Sequence, residues 1–247
     1  MSIENEKDWE GLRAIGRVVR QVLEEMRRAV RPGITTGELD AVATRVLASH
    51  GARHAPRLDY DFPGDSCISV NDEAVHGIPG ARVIHAGDLV KLDVVAELNG
   101  YYADAAITVP VPPVTDERRR LVACVRSAFG KAMEVARVGN VVSDIGRAVE
   151  AEVRRHGFAV MKDLAGHGIG RRIHEPPSVP NHFDWRARQP LTEGLVITVE
   201  PIIGARSGRV VEGADGWTLR TADGSLAAHY EHTLVVTRGR PVLLTAA

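Results

Sequence analysis

The sequence contains an internal repeat, which limits the folds open to the chain. Residues 87–93 (GDLVKLD) and 194–200 (GLVITVE) share the pattern Gly-x-apolar-apolar-x-apolar-acid. A His-Gly-Ile triplet precedes each stretch, at 76–78 and at 167–169. Each half of the chain therefore carries a histidine and an acid in the same order.

The match continues downstream, where a second acid opens an apolar segment in each half. These acids are Asp104, before AAITV, and Glu231, before HTLVV. Three matches in one order predict two related halves, at about 8–110 and 115–240. We expect them to fold as a single catalytic domain over residues 1–247, with the active site on the axis between the halves.

Composition excludes several classes of protein. The chain is 44% hydrophobic and 26% charged, which is an ordinary globular balance. Its formal net charge of −1 argues against specific nucleic-acid binding, and no apolar run approaches the roughly 20 residues of a membrane helix. The opening MSIENEKDWE is not a secretory signal. With only Cys67 and Cys124 available, a disulfide framework is not expected, and we predict a cytoplasmic protein.

Hydrophobic periodicity predicts two pairs of helices separated by β-rich segments. Thr35 and Glu38 form a capping-box pattern at the start of the second helix. The final few residues carry no signal. The expected helices are 8–30, 35–50, 115–136 and 141–156, and the β-rich segments are 65–110 and 157–237. This order predicts an α+β fold with an antiparallel sheet.

A β-hairpin is predicted around Asn99-Gly100, the strongest short hairpin signal. A two-residue turn makes Asp93 face Ala106 and Asp104 face Val95. The two acids then lie on one sheet face as diagonal neighbours, about 7–8 Å apart. A hydrated surface for both acids is the alternative interpretation of the hairpin alone.

The repeat favours a buried metal centre over a hydrated surface. Glu200 ends the apolar run LVITV, and Glu231 begins another. Acids set into apolar strands are rarely without a function. Four carboxylates (Asp93, Asp104, Glu200 and Glu231) with a histidine suit a pair of divalent cations.

Histidines form the second pattern. His167 lies in GHGIG, whose glycines permit close backbone approach, and His174 follows within HEPP. With His76, these residues have matching surroundings in the two halves, although a structural histidine is the alternative for each. A zincin helix, a nucleophile elbow, a Cys-x-x-Cys pair, a Walker loop and a dinucleotide fingerprint are all missing.

Together these motifs resemble the type I methionine aminopeptidases of metallopeptidase family M24, across nearly the whole chain. The resemblance implies the pita-bread fold, in which two pseudo-symmetric halves with an antiparallel sheet and two pairs of helices surround a dinuclear metal site. The motifs that carry it are RPGITT (31–36), CISVN (67–71), HGIP (76–79), GHGIGR (166–171) with HE (174–175), TVEP (198–201) and YEHT (230–233).

The resemblance implies a role for each of the acids. Asp104 and Glu231 would bridge two divalent ions, Asp93 would complete one coordination sphere, and His167 with Glu200 would complete the other. Glu200 would also serve as a proton shuttle. The ions would polarise the carbonyl as Lewis acids. Co, Mn, Fe or Zn would suit these ligands, and the sequence does not select among them.

The resemblance also implies the substrate contacts. His76 and His174 would contact the substrate around the scissile bond and stabilise the tetrahedral intermediate. Phe62, Cys67 and Trp217 would form the pocket for the methionine side chain, with plain core packing as the alternative for each. The implied substrates are peptides and nascent chains that begin with methionine and have a small second residue. A monomer with transient ribosome association is the expected state.

The sequence departs from the family pattern near the pocket. Asp59 occupies a position at the pocket mouth where an aromatic residue is usual, Ile173 replaces a frequent Phe, and His229 replaces the usual Gln. These departures leave open an aminopeptidase of the same fold with altered specificity. A non-catalytic binding protein of this fold is a third possibility, although such relatives generally lose metal ligands.

Overall fold

A computed structural model describes residues 1–246. Its helices are α1 (Glu6–Ala29), α2 (Thr36–Ser49), α3 (Ala55–Tyr60), α4 (Asp116–Val135) and α5 (Val142–Arg155). Its strands are β1 (Arg53–His54), β2 (Cys67–Val70), β3 (Glu73–Val75), β4 (Leu89–Leu98), β5 (Tyr101–Pro110), β6 (Ala159–Val160), β7 (Ala165–Gly168), β8 (Glu175–Pro180), β9 (Val196–Val199), β10 (Ile202–Gly204), β11 (Val210–Glu212), β12 (Leu219–Thr221), β13 (Ala227–His229), β14 (Glu231–Val235) and β15 (Val242–Leu243).

The four long helices match the sequence prediction to within two residues. The capping box of α2 is present, with Thr35 and Glu38 each accepting from the other's backbone N–H. The short helix α3 was not predicted, because six residues are too few to show a period. It begins at Ala55 with Pro56 in its first turn, and it ends where Asp61 adopts a left-handed backbone (φ 56°). No helix among the described residues combines the length and apolarity needed to span a bilayer.

The predicted hairpin register is confirmed. In β4 and β5, Asp93 pairs with Ala106 and Val95 pairs with Asp104. The opposite face, which carries Val90, is buried as expected. The acid-bearing face is not hydrated, since Asp104 is only 5% exposed. The alternative interpretation of the hairpin is therefore wrong.

One large antiparallel sheet runs through the molecule, with strand order β1-β4-β5-β14-β9-β7-β8 and with β2 and β15 attached to β4 and β14. Helices α1 and α2 share a core with β2, β4 and β5. Helices α4 and α5 share a second core with β9, β10 and β14. The central strands β5 and β14 pair with each other, so residues from both parts of the chain meet in the middle of the sheet.

Strand β15 and Thr245 support strand β14, although the sequence analysis found no signal in the final few residues. Strand β15 pairs with β14, and Thr245 accepts a hydrogen bond from the backbone N–H of Thr233. The hydroxyl of Thr245 also contacts Nδ1 of His232 at 2.9 Å. The terminal segment therefore supports the strand that begins with Glu231.

A buried acid links α4 to α5. Glu152 on α5 accepts hydrogen bonds from Arg155 (3.0 and 2.7 Å) and from the hydroxyl of Ser127 on α4. The hydrogen bond from Arg155 is the main reason that the pKa of Glu152 is lowered to about 2. The folded state therefore binds fewer protons at this site than the unfolded chain does, and its stability decreases as the pH falls from about 4.5 towards 2.

We expect Glu152→Gln to lower the free energy of unfolding at pH 7 by about 1–3 kcal/mol, because it weakens a buried, charge-assisted contact between two helices. Urea unfolding at about pH 7 and about pH 3 measures this effect, and the difference between variant and wild type should shrink at the lower pH. Glu134→Gln, on the exposed side of α4, is the control and should leave stability unchanged. Equal stability of Glu152→Gln and wild type at pH 7 would contradict the prediction.

Candidate metal centre

Two central strands hold two of the acids. Asp104 lies on β5 and Glu231 opens β14, where it pairs with Ala106. The backbone N–H of Asp104 donates to Oγ1 of Thr233 (2.9 Å), and the Thr233 hydroxyl donates to the Asp104 carbonyl oxygen (2.8 Å). This reciprocal pair of hydrogen bonds sets the position of Asp104 relative to β14.

Glu200 follows β9, which pairs with β14. The hydroxyl of Thr198 donates to Oε1 of Glu200 (2.9 Å) and accepts from the backbone N–H of His167 (3.1 Å). One threonine therefore positions both a predicted acid and a predicted histidine. Sequence analysis included Thr198 in the TVEP motif (198–201) but assigned it no role.

His167 reaches the acids because glycines surround it. A Cβ atom at Gly166 would lie 2.6 Å from the Thr198 carbonyl oxygen, and one at Gly168 would lie 2.2 Å from that of Pro176. Nδ1–H of His167 donates to the Gly168 carbonyl oxygen (2.9 Å), a contact that assigns the proton to Nδ1 and leaves Nε2 as a ligand atom. Nε2 lies 3.8 Å from Oδ2 of Asp104 and 3.6 Å from Oε1 of Glu200.

His229 joins the cluster, although the sequence had presented it only as a departure from the family pattern. It is 2% exposed, and its Nε2 lies 3.4 Å from Oε2 of Glu231 and 3.9 Å from Oε2 of Glu200. Its spacing of two residues from Glu231 was the available signal, since residues two apart in extended chain share a face.

Burial changes the ionisation of the whole cluster. It raises the pKa of Asp104, Glu200 and Glu231 well above the usual carboxyl range, and the charge of a neighbouring acid adds to the rise in each case. Burial also raises the pKa of Asp93 and lowers the pKa of His167 and His229 to about 4. The imidazoles stay neutral, so they provide no positive charge to balance the carboxylates, which repel one another when ionised.

The donor atoms fit divalent metal ions. Ligand atoms of Asp104, His167 and Glu231 lie within 4.8 Å of one another, and so do those of Glu200, His229 and Glu231. Glu231 belongs to both groups. Asp93 is in neither group, but its Oδ1 is buried without a hydrogen-bond partner, as are Oδ1 of Asp104 and Oε1 of Glu231. Buried carboxylate oxygens without partners are costly unless cations compensate them.

A cavity of about 540 Å³ opens above the cluster. The predicted substrate residues His76 and His174 line it, and so do the predicted pocket residues Phe62, Cys67 and Trp217. Phe62 and Trp217 meet edge to face, with ring centroids 5.2 Å apart. The structure thus brings all ten predicted site residues to one cavity.

The cavity mouth differs from the expectation for Asp59. The side chain of Asp59 accepts a 3.5 Å hydrogen bond from the hydroxyl of Tyr102 and is not part of the cavity lining. Tyr60 lines the cavity instead, and its hydroxyl lies 2.7 Å from Nδ1 of His174. An aromatic side chain therefore lies at the mouth of the cavity, one residue after Asp59 on α3.

Comparison with known proteins agrees with this geometry. The sequence profile of metallopeptidase family M24 matches residues 10–238. The chain belongs to metallopeptidase family M24.

Relatives of this M24 chain match it from end to end. Methionine aminopeptidase 2 of Bacillus subtilis is 43% identical over 247 residues, covering 99% of each chain. Solved structures of methionine aminopeptidases superpose closely: that from Thermotoga maritima has a TM-score of 0.96 at 32% identity, and that from Rickettsia prowazekii has 0.95 at 36%, with each comparison covering 100% of both chains. These similarities confirm the predicted pita-bread fold.

Membership of M24 also confirms that the cofactor is a divalent metal, since the family consists of metallopeptidases and the chain retains a carboxylate and histidine cluster. The identity of the ion is not determined by the ligands. Carboxylate and imidazole ligands together are compatible with Mn, Fe, Co and Zn.

Proposed function

We propose that this chain is a methionine aminopeptidase, which hydrolyses the first peptide bond of peptides and nascent chains that begin with methionine and have a small second residue. The observation that carries the proposal is the pair of buried carboxylate and histidine groups, joined through Glu231, at the base of a cavity with an apolar wall. The full-length similarity to methionine aminopeptidases supports it.

In this proposal Asp104 and Glu231 would serve both of two divalent ions, Asp93 would help to hold one of them, and His167 with Glu200 would help to hold the other. Bound ions supply Lewis acidity towards the scissile carbonyl and activate water. Glu200 would move a proton between water and the leaving amine, and the Thr198 hydroxyl positions its carboxylate through Oε1. A carboxylate positioned in this way can accept a proton and pass it on.

The methionine side chain binds against the wall formed by Phe62, Cys67 and Trp217. Burial raises the pKa of the Cys67 thiol well above its usual value, so this side chain stays neutral and behaves as a small apolar group. Cys67 also pairs with Asp93 across β2 and β4, so the side-chain pocket adjoins the metal centre. A flexible thioether suits a pocket of this irregular apolar shape.

His76 and His174 contact the peptide around the scissile bond. In this proposal the Tyr60 hydroxyl is the donor across the 2.7 Å contact with Nδ1 of His174, so the ring proton of neutral His174 lies on Nε2. His174 can then donate this proton in a hydrogen bond to the carbonyl oxygen as negative charge develops there. Tyr60 acts through His174 and is a positioning residue.

We expect Tyr60→Phe to lower kcat for methionine release about three- to tenfold, because His174 loses the hydrogen bond that sets its tautomer. KM should change less, since the apolar wall is intact. Steady-state kinetics with a Met-Ala-Ser peptide measure both quantities. Tyr102→Phe removes a hydroxyl outside the cavity and serves as the matched control. Equal kcat for Tyr60→Phe and wild type would contradict the assignment.

We propose further that residues 1–247 form a single catalytic domain of two related halves, 8–110 and 115–240, since each half supplies a helix pair, a core and part of the metal centre. A cytoplasmic monomer that meets nascent chains through transient ribosome contact suits the proposed substrates. Cys67 and Cys124 are both buried and unbonded, which agrees with a reducing compartment.

Release of free methionine from Met-Ala-Ser by metal-stripped protein tests the proposal, with Mn, Fe(II), Co or Zn added back singly. Restored release with at least one ion supports it. Release only from peptides with another first residue, such as Leu-Ala-Ser or Ala-Pro-Ser, would indicate a peptidase of altered specificity. If the folded protein binds no divalent ion and is not stabilised by any, the non-catalytic interpretation replaces ours.

A further inference from the structure

We propose that His229 is a further ligand of the metal centre and binds a divalent ion through Nε2, together with Glu200 and Glu231. The inference rests on the metal centre described above and adds a residue to it. His229 would be the second imidazole of the centre, beside His167.

The distances suit coordination better than a hydrogen bond. Nε2 of His229 lies 3.4 Å from Oε2 of Glu231 and 3.9 Å from Oε2 of Glu200. Both separations exceed the roughly 2.7–3.2 Å of a hydrogen bond between nitrogen and oxygen. Ligand atoms that each lie about 2.0–2.2 Å from one ion are separated by roughly 3–3.5 Å, so a small inward movement of Glu200 completes the group.

No protein group competes for this imidazole. Nδ1 and Nε2 of His229 are both buried, and neither has a hydrogen-bond partner among the described residues. An unsatisfied buried polar group destabilises the folded state. A divalent ion bound to Nε2 would satisfy this nitrogen. Its charge would also compensate Oε1 of Glu231, which is buried without a hydrogen-bond partner among the described residues.

The backbone holds His229 in place for this role. Its N–H donates to Oγ1 of Thr108 (2.9 Å), and the Thr108 hydroxyl donates to its carbonyl oxygen (2.8 Å). On the other side, His229 pairs with Ile202 across β13 and β10. Ligands held this firmly lose little conformational freedom when an ion binds.

A second imidazole changes the expected metal preference. Imidazole suits Zn, Cu, Fe and Ni, whereas all-oxygen sites suit Mg, Ca and Mn. Replacing His229 with a residue that offers an oxygen ligand should therefore weaken the binding of Co(II) or Zn(II) more than the binding of Mn(II).

Titration of metal-stripped protein with Co(II), followed by calorimetry and by X-ray absorption spectroscopy, tests the proposal. His229→Gln should weaken one of two Co(II) sites by more than about tenfold and leave the other close to wild type. The average number of imidazole ligands per cobalt should fall from about one to about one half. The control is His232→Gln, because His232 is buried on β14 but bonds Thr245 and Tyr230 instead of the acids.

Unchanged Co(II) affinity and imidazole count in His229→Gln would overturn the assignment of His229 and leave the rest of the metal centre standing. A folded wild-type protein that binds no Co(II) would overturn both. If His229→Gln does not fold, the spectrum of the wild-type protein decides alone. About one imidazole per cobalt supports the proposal, and about one half, the value for His167 acting alone, overturns it.

Discussion

We expect Glu231→Gln to lower the rate of methionine release by more than about 100-fold at every metal concentration, which exceeds the usual cost of disturbing a metal's outer shell. Glu231 is the one residue common to both ligand groups, and its Oε1 is buried without a partner among the described residues. Glutamine keeps the size of the side chain but removes the charge and adds an N–H₂ group, which cannot bind a cation.

Measuring kcat of variant and wild type at saturating Co(II) and saturating Met-Ala-Ser separates a loss of catalysis from weaker binding of metal or substrate. Co(II) affinity should fall together with kcat, because the same carboxylate serves both ions. Asp116→Asn, on the solvent-exposed start of α4, is the control and should retain wild-type values. Full activity in Glu231→Gln would show that the reaction does not depend on this centre.

The effect of Asp104→Asn on stability should change sign when metal is added. We expect the variant to be more stable than wild type without metal and less stable with it. In the metal-free protein, Asp104 is a buried acid beside Asp93 and Glu231, and their charges raise its pKa further. Neutralising it relieves repulsion, so we expect the free energy of unfolding to rise by about 1–4 kcal/mol at pH 8. With metal at about 1,000 times its Kd, wild type gains about 4.1 kcal/mol from binding, which the variant lacks and which outweighs the effect of neutralisation.

The pH dependence of the metal-free protein follows from the same shifts. Folding raises the pKa of Asp104, Glu200 and Glu231, so the folded state binds more protons than the unfolded chain above about pH 4. The stability of metal-free wild type therefore decreases as the pH rises through the raised pKa values, and the decrease should be smaller in Asp104→Asn.

Thermal unfolding with a chelator or with excess Co(II), at about pH 5 and about pH 8, measures both effects. The expected order of Tm is variant above wild type without metal at pH 8, and wild type above variant with metal. A metal-free Asp104→Asn protein that is less stable than wild type at pH 8 would show that repulsion among these acids is not a major cost.

Several local features could be predicted from the sequence because each depends on residues close together in the chain. The capping box joins Thr35 to Glu38, and the Asn99-Gly100 turn sets the register of β4 against β5. Once the register is known, Asp93 and Asp104 must share a face. The positions of the other site residues came from the repeat and from resemblance, which carry information that no local pattern contains.

Other features depended on backbone geometry that local patterns do not specify. An α-helix turns about 100° per residue, so a single position in α3 decides which side chain enters the cavity. Alignment by sequence put Asp59 at the mouth, whereas the structure puts Tyr60 there. The short helix itself gave no periodic signal, because it contains fewer than two full turns.

The sequence by itself determined the helix starts, the hairpin register, the α+β class and the order in which acids and histidines occur, because these follow from local backbone preferences and from the repeat. Only the tertiary structure decided that Tyr60 contacts His174, that Thr233 positions Asp104, and that His229 faces Glu200. The first two contacts span 114 and 129 positions of the chain. They form only when the two cores close the sheet, and burial then gives the acids and imidazoles their altered pKa values.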